Sequence, residues 1–448
     1  MSGKLPGYKG LALEALLKIK AEIGDLIRII KDGYVYEGIL IPRSEYSDDR
    51  HVVVKTKSGY NIGIEITPTT RIERIGAEMK PSFIPPPPPK QRPDLPKVTI
   101  VSTGGTIASR VDYRTGAVRP VISADDLYSI VPELSDIAVI DAEILFSIFS
   151  EDLTSKHWSA MAEAVAKHIS RGVQGIVITH GTDTMGYSAA ALSFALQDLP
   201  VPVVFVGAQR SEDRPSSDAA MNLIGAVLAA SKAPFAEVTV AMHETPSDEA
   251  IVLHRGTKVR KCHTSRRDAF KTINAKPLAR IIDNEIVMLV DDYQPRDPKR
   301  KITLKAKFDD RATLIKFYPG MNPKIIDWYV SEGYRGIVLE GSGLGHIRRE
   351  CFPAIKRAIE SGVVVAMASQ CIWGRVNMNV YSNGRDLLAM GVVPLGDMLA
   401  ETALVKMMWC LAQTEDSEEV KRLLLTNIAN EFSSRTVEYI EPPKTIRA

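Results

Sequence analysis

Two short segments of this 448-residue chain carry hydroxyl groups where they could do chemistry. In TIVSTGGTIASR (99–110), Thr103 and Thr106 flank Gly104-Gly105, and in IVITHGTDTMG (176–186), Thr182, Asp183 and Thr184 follow His180-Gly181. Each segment directly follows a β-branched run. Glycine lets backbone approach a ligand without a Cβ in the way. A threonine hydroxyl beside it can then act as a nucleophile or as a donor to a developing oxyanion. The competing use of such glycines is to hold a phosphate. Neither segment has the G-x-x-x-x-G-K-[ST] order, and no G-x-G-x-x-G opens a helix here.

The elements that must hold these loops are written in the apolar pattern. VTIV, GIVIT, VPVVFVG and VTVAM are short apolar runs ending in Gly or polar loops, with the helical stretches WSAMAEAVAKHI and DAAMNLIGAVLAA between them. Alternating strand and helix makes a parallel sheet covered on both faces. Ligands on such sheets collect at the carboxyl ends of the strands, the rim on which both threonine segments fall. A second series, ATLIKFYP, GIVLEGSGLG and GVVVAMAS, begins near residue 310. The polar, Pro-containing PRDPKRKITLKAKF sets the division near 294–310, giving α/β units at 97–300 and 301–448.

Upstream the pattern changes. GDLIRIIKDGYVYEGILIP and HVVVKTKSGYNIGIEI alternate in the manner of strands and are broken at Asp32-Gly33 and Ser58-Gly59. Five short strands are enough for a small closed barrel within residues 1–80, with LALEALLKIKAE (11–22) as a helix across one end. Residues 81–96 include five consecutive prolines, which favour a polyproline II rod and so a semi-rigid spacer. The head holds no nucleophile cluster or catalytic charge pair, and is expected to dock or scaffold.

Composition excludes little. A 45% hydrophobic and 25% charged chain with net charge +2 matches ordinary globular usage. No run of about 18 apolar residues predicts a membrane-spanning helix, and MSGKLPGYKG lacks an apolar signal core, so a cytoplasmic protein is expected. Residues 1–96 carry 15 Lys and Arg against 12 Asp and Glu, too weak an excess to argue nucleic-acid binding. Cys262, Cys351, Cys371 and Cys410 are scattered, with no C-x-x-C pair. Neither a disulfide framework nor a metal site is expected.

TGGTIAS together with ITHGTDTM resembles the paired signatures of the bacterial-type L-asparaginase family. FSEDLTSKHW, VGAQRSEDRPSSDAAMNL and TKVRKCHTSRRDAFKTIN follow in the family's order, so the resemblance spans 97–440 or so. The head and proline spacer are foreign to ordinary asparaginases. With them, the chain resembles the family of D subunits of archaeal glutamyl-tRNA(Gln) amidotransferases. The resemblance implies an α/β fold: two asparaginase-like domains with mainly parallel sheets behind a small all-β barrel. It implies a glutaminase that hydrolyses glutamine, or asparagine, and passes ammonia to a partner, the E subunit. That partner would use ATP and Mg to convert Glu-tRNA(Gln) to Gln-tRNA(Gln) and would hold most of the tRNA. For this chain it implies a homodimer without cofactor or membrane contact. A free-standing L-asparaginase and a non-enzymatic amino-acid- or RNA-binding scaffold are the alternatives. The head argues against the first; intact Thr106, Thr182, Asp183 and Lys261 argue against the second.

Matched to the family, Thr106 is the primary nucleophile, attacking a side-chain amide carbonyl. Thr182, Asp183 and Lys261 form a second triad, with Lys261 as base through Thr182 and Asp183 orienting the ammonium. An ordinary lysine keeps its proton to about pH 10, so such a base must be desolvated or share its proton along the triad. Backbone N–H groups of the two loops, around Gly105 and Gly181, are the implied oxyanion donors. Ser150 and Glu151 match the pair that holds the α-carboxylate and α-ammonium groups of an amino acid; a polar loop capping the helix at TSKHW is the other reading. Tyr113 lies closer to Thr106 than the family's hinge tyrosine. His346 stands where an amide is common, as a loop histidine or as a contact to substrate across a dimer. His180 is expected to be structural.

Overall fold

The computed structural model describes residues 5–43, 48–56, 61–77, 92–105, 109–112, 117–120, 124, 127–128, 131–210 and 217–435. Thr106, Tyr113, the Ser58-Gly59 turn and the five-proline run lie outside them.

Alternation and one turn shape the head. Helix α1 (Gly10–Lys18) precedes β1 (Asp25–Lys31), β2 (Tyr34–Leu40), β3 (His51–Lys55), β4 (Asn61–Glu65) and β5 (Arg71–Ala77). Asp32 and Gly33, both at positive φ (53° and 83°), form a two-residue connection that sets Lys31 opposite Tyr34, the backbone twist that favours hairpins. Ile27, Ile29, Leu40, Val52 and Val54 point inward and pack on Ala12 and Leu16 of α1. The antiparallel ladder runs β4-β3-β2-β1-β5, with β4 and β5 as its ends among the described residues. Helix α1 stops short of the expected 11–22, because Lys20 adopts a left-handed conformation (φ 51°) before β1.

The middle unit begins with β6 (Lys97–Ser102), a hairpin of β7 (Ser109–Asp112) and β8 (Ala117–Pro120), β9 (Val139–Ile144) and α2 (Ser155–Ser170). It continues with β10 (Gly175–Thr179), α3 (Met185–Ala195), β11 (Leu196–Gln197), β12 (Val203–Val206), α4 (Ala219–Lys232) and β13 (Val238–His243). Then come β14 (Ile251–Arg255), β15 (Val259–Lys261), β16 (Phe270–Thr272), β17 (Ala279–Ile282), β18 (Glu285–Met288) and β19 (Thr303–Leu304). The main sheet is ordered β18-β17-β14-β13-β12-β10-β6-β9. From β13 to β9 it is parallel, as the apolar runs predict; β14, β17 and β18 continue it antiparallel. Every residue of β10 and β12 is buried, as helices on both faces require.

The last unit contains β20 (Ala312–Lys316), α5 (Lys324–Ser331), β21 (Gly336–Gly341), α6 (Phe352–Glu360), β22 (Val364–Ser369), α7 (Ser382–Met390), β23 (Val393–Pro394), α8 (Ala400–Gln413) and α9 (Ser417–Leu425). Its four strands are all parallel, in the order β20-β21-β22-β23.

The two α/β units share one core. The α3 sequence MGYSAAALSFA has no polar face, and Met185 and the run Ser188–Ala195 are buried, the mark of a helix enclosed by protein. It packs on α8, with Phe194 and Trp409 ring centroids 6.2 Å apart. Buried polar ties cross the same seam. Lys258 Nζ donates to Asp397 Oδ2 at 2.8 Å, Thr257 Oγ1 to the Ala429 carbonyl at 2.9 Å, and Thr402 Oγ1 to the Thr257 carbonyl at 3.0 Å. Among the described residues no helix is long and apolar enough to cross a membrane.

Candidate active site

The two threonine loops leave adjacent strands. β6 pairs with β10 in a register that sets Ser102 beside Thr179, so both loops emerge at the same carboxyl rim. Thr103 locks them together, its amide and its hydroxyl both donating to the Thr179 carbonyl at 3.0 and 2.8 Å. The glycines then bring backbone against backbone. Gly105 sits at φ 82°, and a Cβ there would lie 2.9 Å from the Gly181 nitrogen. A Cβ on Gly181 would come within 2.8 Å of the Ser150 side chain. Thr184, at the head of α3, donates to the Ser150 carbonyl at 2.6 Å. Ser150, Gly105, Gly181 and the Thr182–Thr184 turn thus form one close-packed group.

Lys261 enters from a different element. It closes β15, and its Nζ donates to Thr182 Oγ1 at 2.9 Å and to Asp183 Oδ1 at 2.8 Å. The lysine side chain is 14% exposed and the Asp183 side chain 69%, so the ammonium is shielded while the carboxylate faces solvent. Arg260, next in the chain, pairs with Glu401 of α8 at 3.0 Å and anchors this hairpin on the last unit. Thr182 and Asp183 also precede the amino end of α3, where the helix dipole favours negative charge. The arrangement can hold an anion, and it can pass a proton between a hydroxyl and an amine.

Of the residues expected from the sequence, Thr182, Asp183, Lys261, Gly105, Gly181 and Ser150 come together here. Glu151 follows Ser150 on a short 3-10 turn and is exposed on the rim. His346 lies in the loop after β21, edge-on to Tyr381 at 5.5 Å. Both of its ring nitrogens are buried without a hydrogen-bond partner among the described residues.

His180 stands beneath the site. Its Nδ1 meets the Gly181 carbonyl at 2.6 Å and so carries the proton; Nε2 meets Ser188 Oγ at 2.8 Å. Ser188 in turn accepts from Trp158 Nε1 at 3.0 Å. A carbonyl can only accept and an indole can only donate, so the chain runs one way, from Trp158 through Ser188 to a neutral imidazole. Burial agrees, pushing the His180 pKa down to about 4. Sequence reading missed Ser188 and Trp158, which fix this ring, and the part that Thr103 and Thr184 play in binding the loops. Their one signal was the density of Thr around the two glycine turns.

Comparison with known proteins accounts for each unit. Residues 97–293 match the family model "Asparaginase, N-terminal", 311–424 the "Glutaminase/Asparaginase C-terminal domain", and 21–75 the "GatD N-terminal domain". The chain is 50% identical over 436 residues to the D subunit of the glutamyl-tRNA(Gln) amidotransferase of Metallosphaera sedula, covering 96% of this chain and 97% of that protein. It is 52% identical over 434 residues to the corresponding D subunit of Pyrococcus furiosus, covering 95% and 98%. The thermostable L-asparaginase from Thermococcus kodakarensis superposes with a TM-score of 0.68 at 32% identity, covering 75% of this chain and 99% of that one. The asparaginase thus matches only part of the chain, whereas the amidotransferase relatives extend over nearly all of it. With its asparaginase-type α/β units behind a strand-built head, this chain belongs to the family of glutamyl-tRNA(Gln) amidotransferase D subunits.

Proposed function

We propose that this chain is the ammonia-releasing component of a tRNA-dependent amidotransferase, hydrolysing the side-chain amide of glutamine through a threonine nucleophile. The observation that carries the reading is the convergence of Lys261 on Thr182 and Asp183 beside the packed Gly105–Gly181 pair. An amide is a poor electrophile, so its hydrolysis needs a nucleophile, a base and charge stabilisation at the oxyanion. Thr106, which follows Gly105, is assigned the first attack on the carbonyl carbon. Lys261, acting through Thr182, relays the proton that converts the amide nitrogen into departing ammonia, and Asp183 orients the ammonium. Thr182 and water then resolve the acyl intermediate. Amide N–H groups of the two loops, aided by the α3 amino end, hold the oxyanion. Ser150 and Glu151 hold the α-carboxylate and α-ammonium groups of the amino acid.

The chain works as a cytoplasmic homodimer bound to the amidotransferase E subunit. That partner uses ATP and Mg and carries most of the contact with Glu-tRNA(Gln). This chain itself needs no cofactor.

The test is ammonia release from glutamine and asparagine by Thr106→Ala and Thr182→Ala, each checked for an intact fold by circular dichroism. Loss of hydrolysis in both supports the assignment; near-normal release by either would sink it.

A further inference from the structure

A second polar chain reaches the active-site hairpin from behind. His243, at the end of β13, has no solvent exposure and is enclosed by groups from four elements. From α4, Asn222 Oδ1 meets its Nδ1 at 2.6 Å. From the following loop, Asp248 Oδ1 meets its Nε2 at 3.0 Å. β14 contributes only the apolar Ile251, its register partner. From the β15–β16 hairpin, Arg267 donates to the same Asp248 oxygen and to the Pro246 carbonyl. Flanking charges are satisfied elsewhere: Glu244 by Arg280, and Asp268 by Arg266 and Lys271.

The geometry fixes the protons. Asn222 Nδ2 faces the Gly207 carbonyl at 2.9 Å and the Asp218 carboxylate at 3.0 Å, two groups that only accept. The amide orientation is therefore set, and the oxygen must be what faces His243. Nδ1 then has to donate. Asp248, ion-paired with Arg267, is a carboxylate, so Nε2 has to donate as well. An imidazole with acceptors on both sides is an imidazolium. Asp248 lies between two cations, one buried in the sheet and one on the hairpin.

We propose that His243 is a positioning residue for the hydrolytic reaction, its buried imidazolium fixing, through Asp248 and Arg267, the hairpin that carries Lys261. The link is short. The Cys262 amide donates to the Ala269 carbonyl at 2.7 Å, closing a loop that has Lys261 at its root and Arg267 near its tip. When His243 gives up its proton on the alkaline side, the neutral imidazole can donate on one side only, leaving either Nδ1 and Asn222 Oδ1 or Nε2 and the carboxylate face to face as two acceptors. The tether between β13 and the hairpin then weakens, while the Arg260–Glu401 pair still holds the hairpin on the last unit. This inference rests on the hydrolytic reading of the site, so its test has one arm that needs no substrate.

In that arm, full-length protein labelled with 15N-histidine is titrated by NMR and the His243 resonance is assigned by its loss in His243→Gln. Both ring nitrogens protonated at about pH 7 is the expected result; a single neutral tautomer there overturns the proposal. In the second arm, glutamine and asparagine hydrolysis are followed against pH for wild type, Asp248→Asn at an exposed side chain and Arg267→Leu at a mostly buried one, each checked for an intact fold by circular dichroism. The variants should lose about tenfold or more in kcat with KM changed less than about twofold. The alkaline fall of kcat should move to lower pH in Asp248→Asn. Wild-type kcat and an unshifted profile in both variants overturn the positioning role even if the imidazolium is present. Absence of any hydrolysis by the wild type would strike the hydrolytic reading alone, leaving the NMR arm to decide the protonation.

Discussion

Gly105 and Gly181 meet backbone to backbone, so close that a single methyl group on Gly105 would fall 2.9 Å from the Gly181 nitrogen. Gly181 has the same constraint on its other side, where Ser150 waits at 2.8 Å. Gly181→Ala must therefore push the Thr182 turn away from Ser150. Because displacement of about 1 Å can cost about 10²-fold in rate, kcat for glutamine should fall by about that factor while the melting temperature changes little. Steady-state kinetics beside a thermal melt check this; unchanged kcat would show that the loops have slack.

Lys261→Met removes the ammonium but keeps most of the side chain's bulk. If Lys261 relays protons through Thr182, kcat should drop by about 10²- to 10⁴-fold. KM should stay near its wild-type value. Asp183→Asn, at an exposed carboxylate, should have a smaller effect in the same direction. A Lys261→Met enzyme altered only in KM would move Lys261 from the chemistry to substrate binding.

Lys258 and Asp397 are 1% and 2% exposed and carry the seam between the two α/β units. Removing one partner of such a buried pair strands the other charge, at a cost of about 3–5 kcal/mol. Lys258→Met should lower stability by that order, and the double variant Lys258→Met/Asp397→Leu should recover part of the loss. Asp397 also accepts from the Ser433 amide at 2.9 Å, so recovery should be incomplete. Urea unfolding curves of the three proteins provide the comparison; a fully stable Lys258→Met would show the pair to be dispensable.

Burial pushes the His180 pKa down to about 4, and burial, with a smaller effect from Lys271, takes His254 down to about 3. In both, the folded state resists a proton that the unfolded chain accepts near the ordinary histidine value. Stability from these rings is therefore complete above about pH 6.5 and is lost as pH falls from there toward 4 and then 3. For His180 alone the loss amounts to roughly 3 kcal/mol. Unfolding free energies measured at intervals across that window should decline, and a flat profile would contradict neutral buried rings.

The head has its own core, built from Ile27, Ile29, Leu40, Val52 and Val54 on α1, and the main sheet starts at Lys97. Deleting residues 1–96 should leave free glutamine hydrolysis within about twofold of wild type, as expected for a separately folded unit. Coupled amidation of Glu-tRNA(Gln) in the presence of the E subunit should fall. If both assays were unchanged, the head would have no part in assembly or transfer.

How far the sequence led depended on how local each cause is. VTIV and GIVIT declare buried parallel strands because both of their faces are covered, which leaves an unbroken apolar run. The antiparallel edge was less legible, although Asp283-Asn284, both at positive φ, form the two-residue turn between β17 and β18. The threonine loops could be placed on one rim because each follows a strand. What could not be read was which lysine does what. Lys258 and Lys261 lie three residues apart in TKVRK, yet one faces Asp397, 139 positions on, and the other faces Thr182, 79 positions back. Only the extended strand β15, along which successive side chains alternate in direction, separates a structural ammonium from one at the site. The His243 network was hidden for the same reason, since Asn222 of α4, Asp248 of the loop after β13 and Arg267 of the hairpin are brought together only by the fold.

Helix α3 begins at the Thr182 turn, ends at the seam and from Ser188 onward is buried between the sheet and α8. Its inner amides have no route to solvent while the two α/β units remain together. Their hydrogen–deuterium exchange should therefore occur only through opening of the whole pair, at the slowest rate in the molecule. That makes the α3 amides a native gauge. A bound substrate or partner that steadies the catalytic loop would register there as slower exchange, far from the residues it touches.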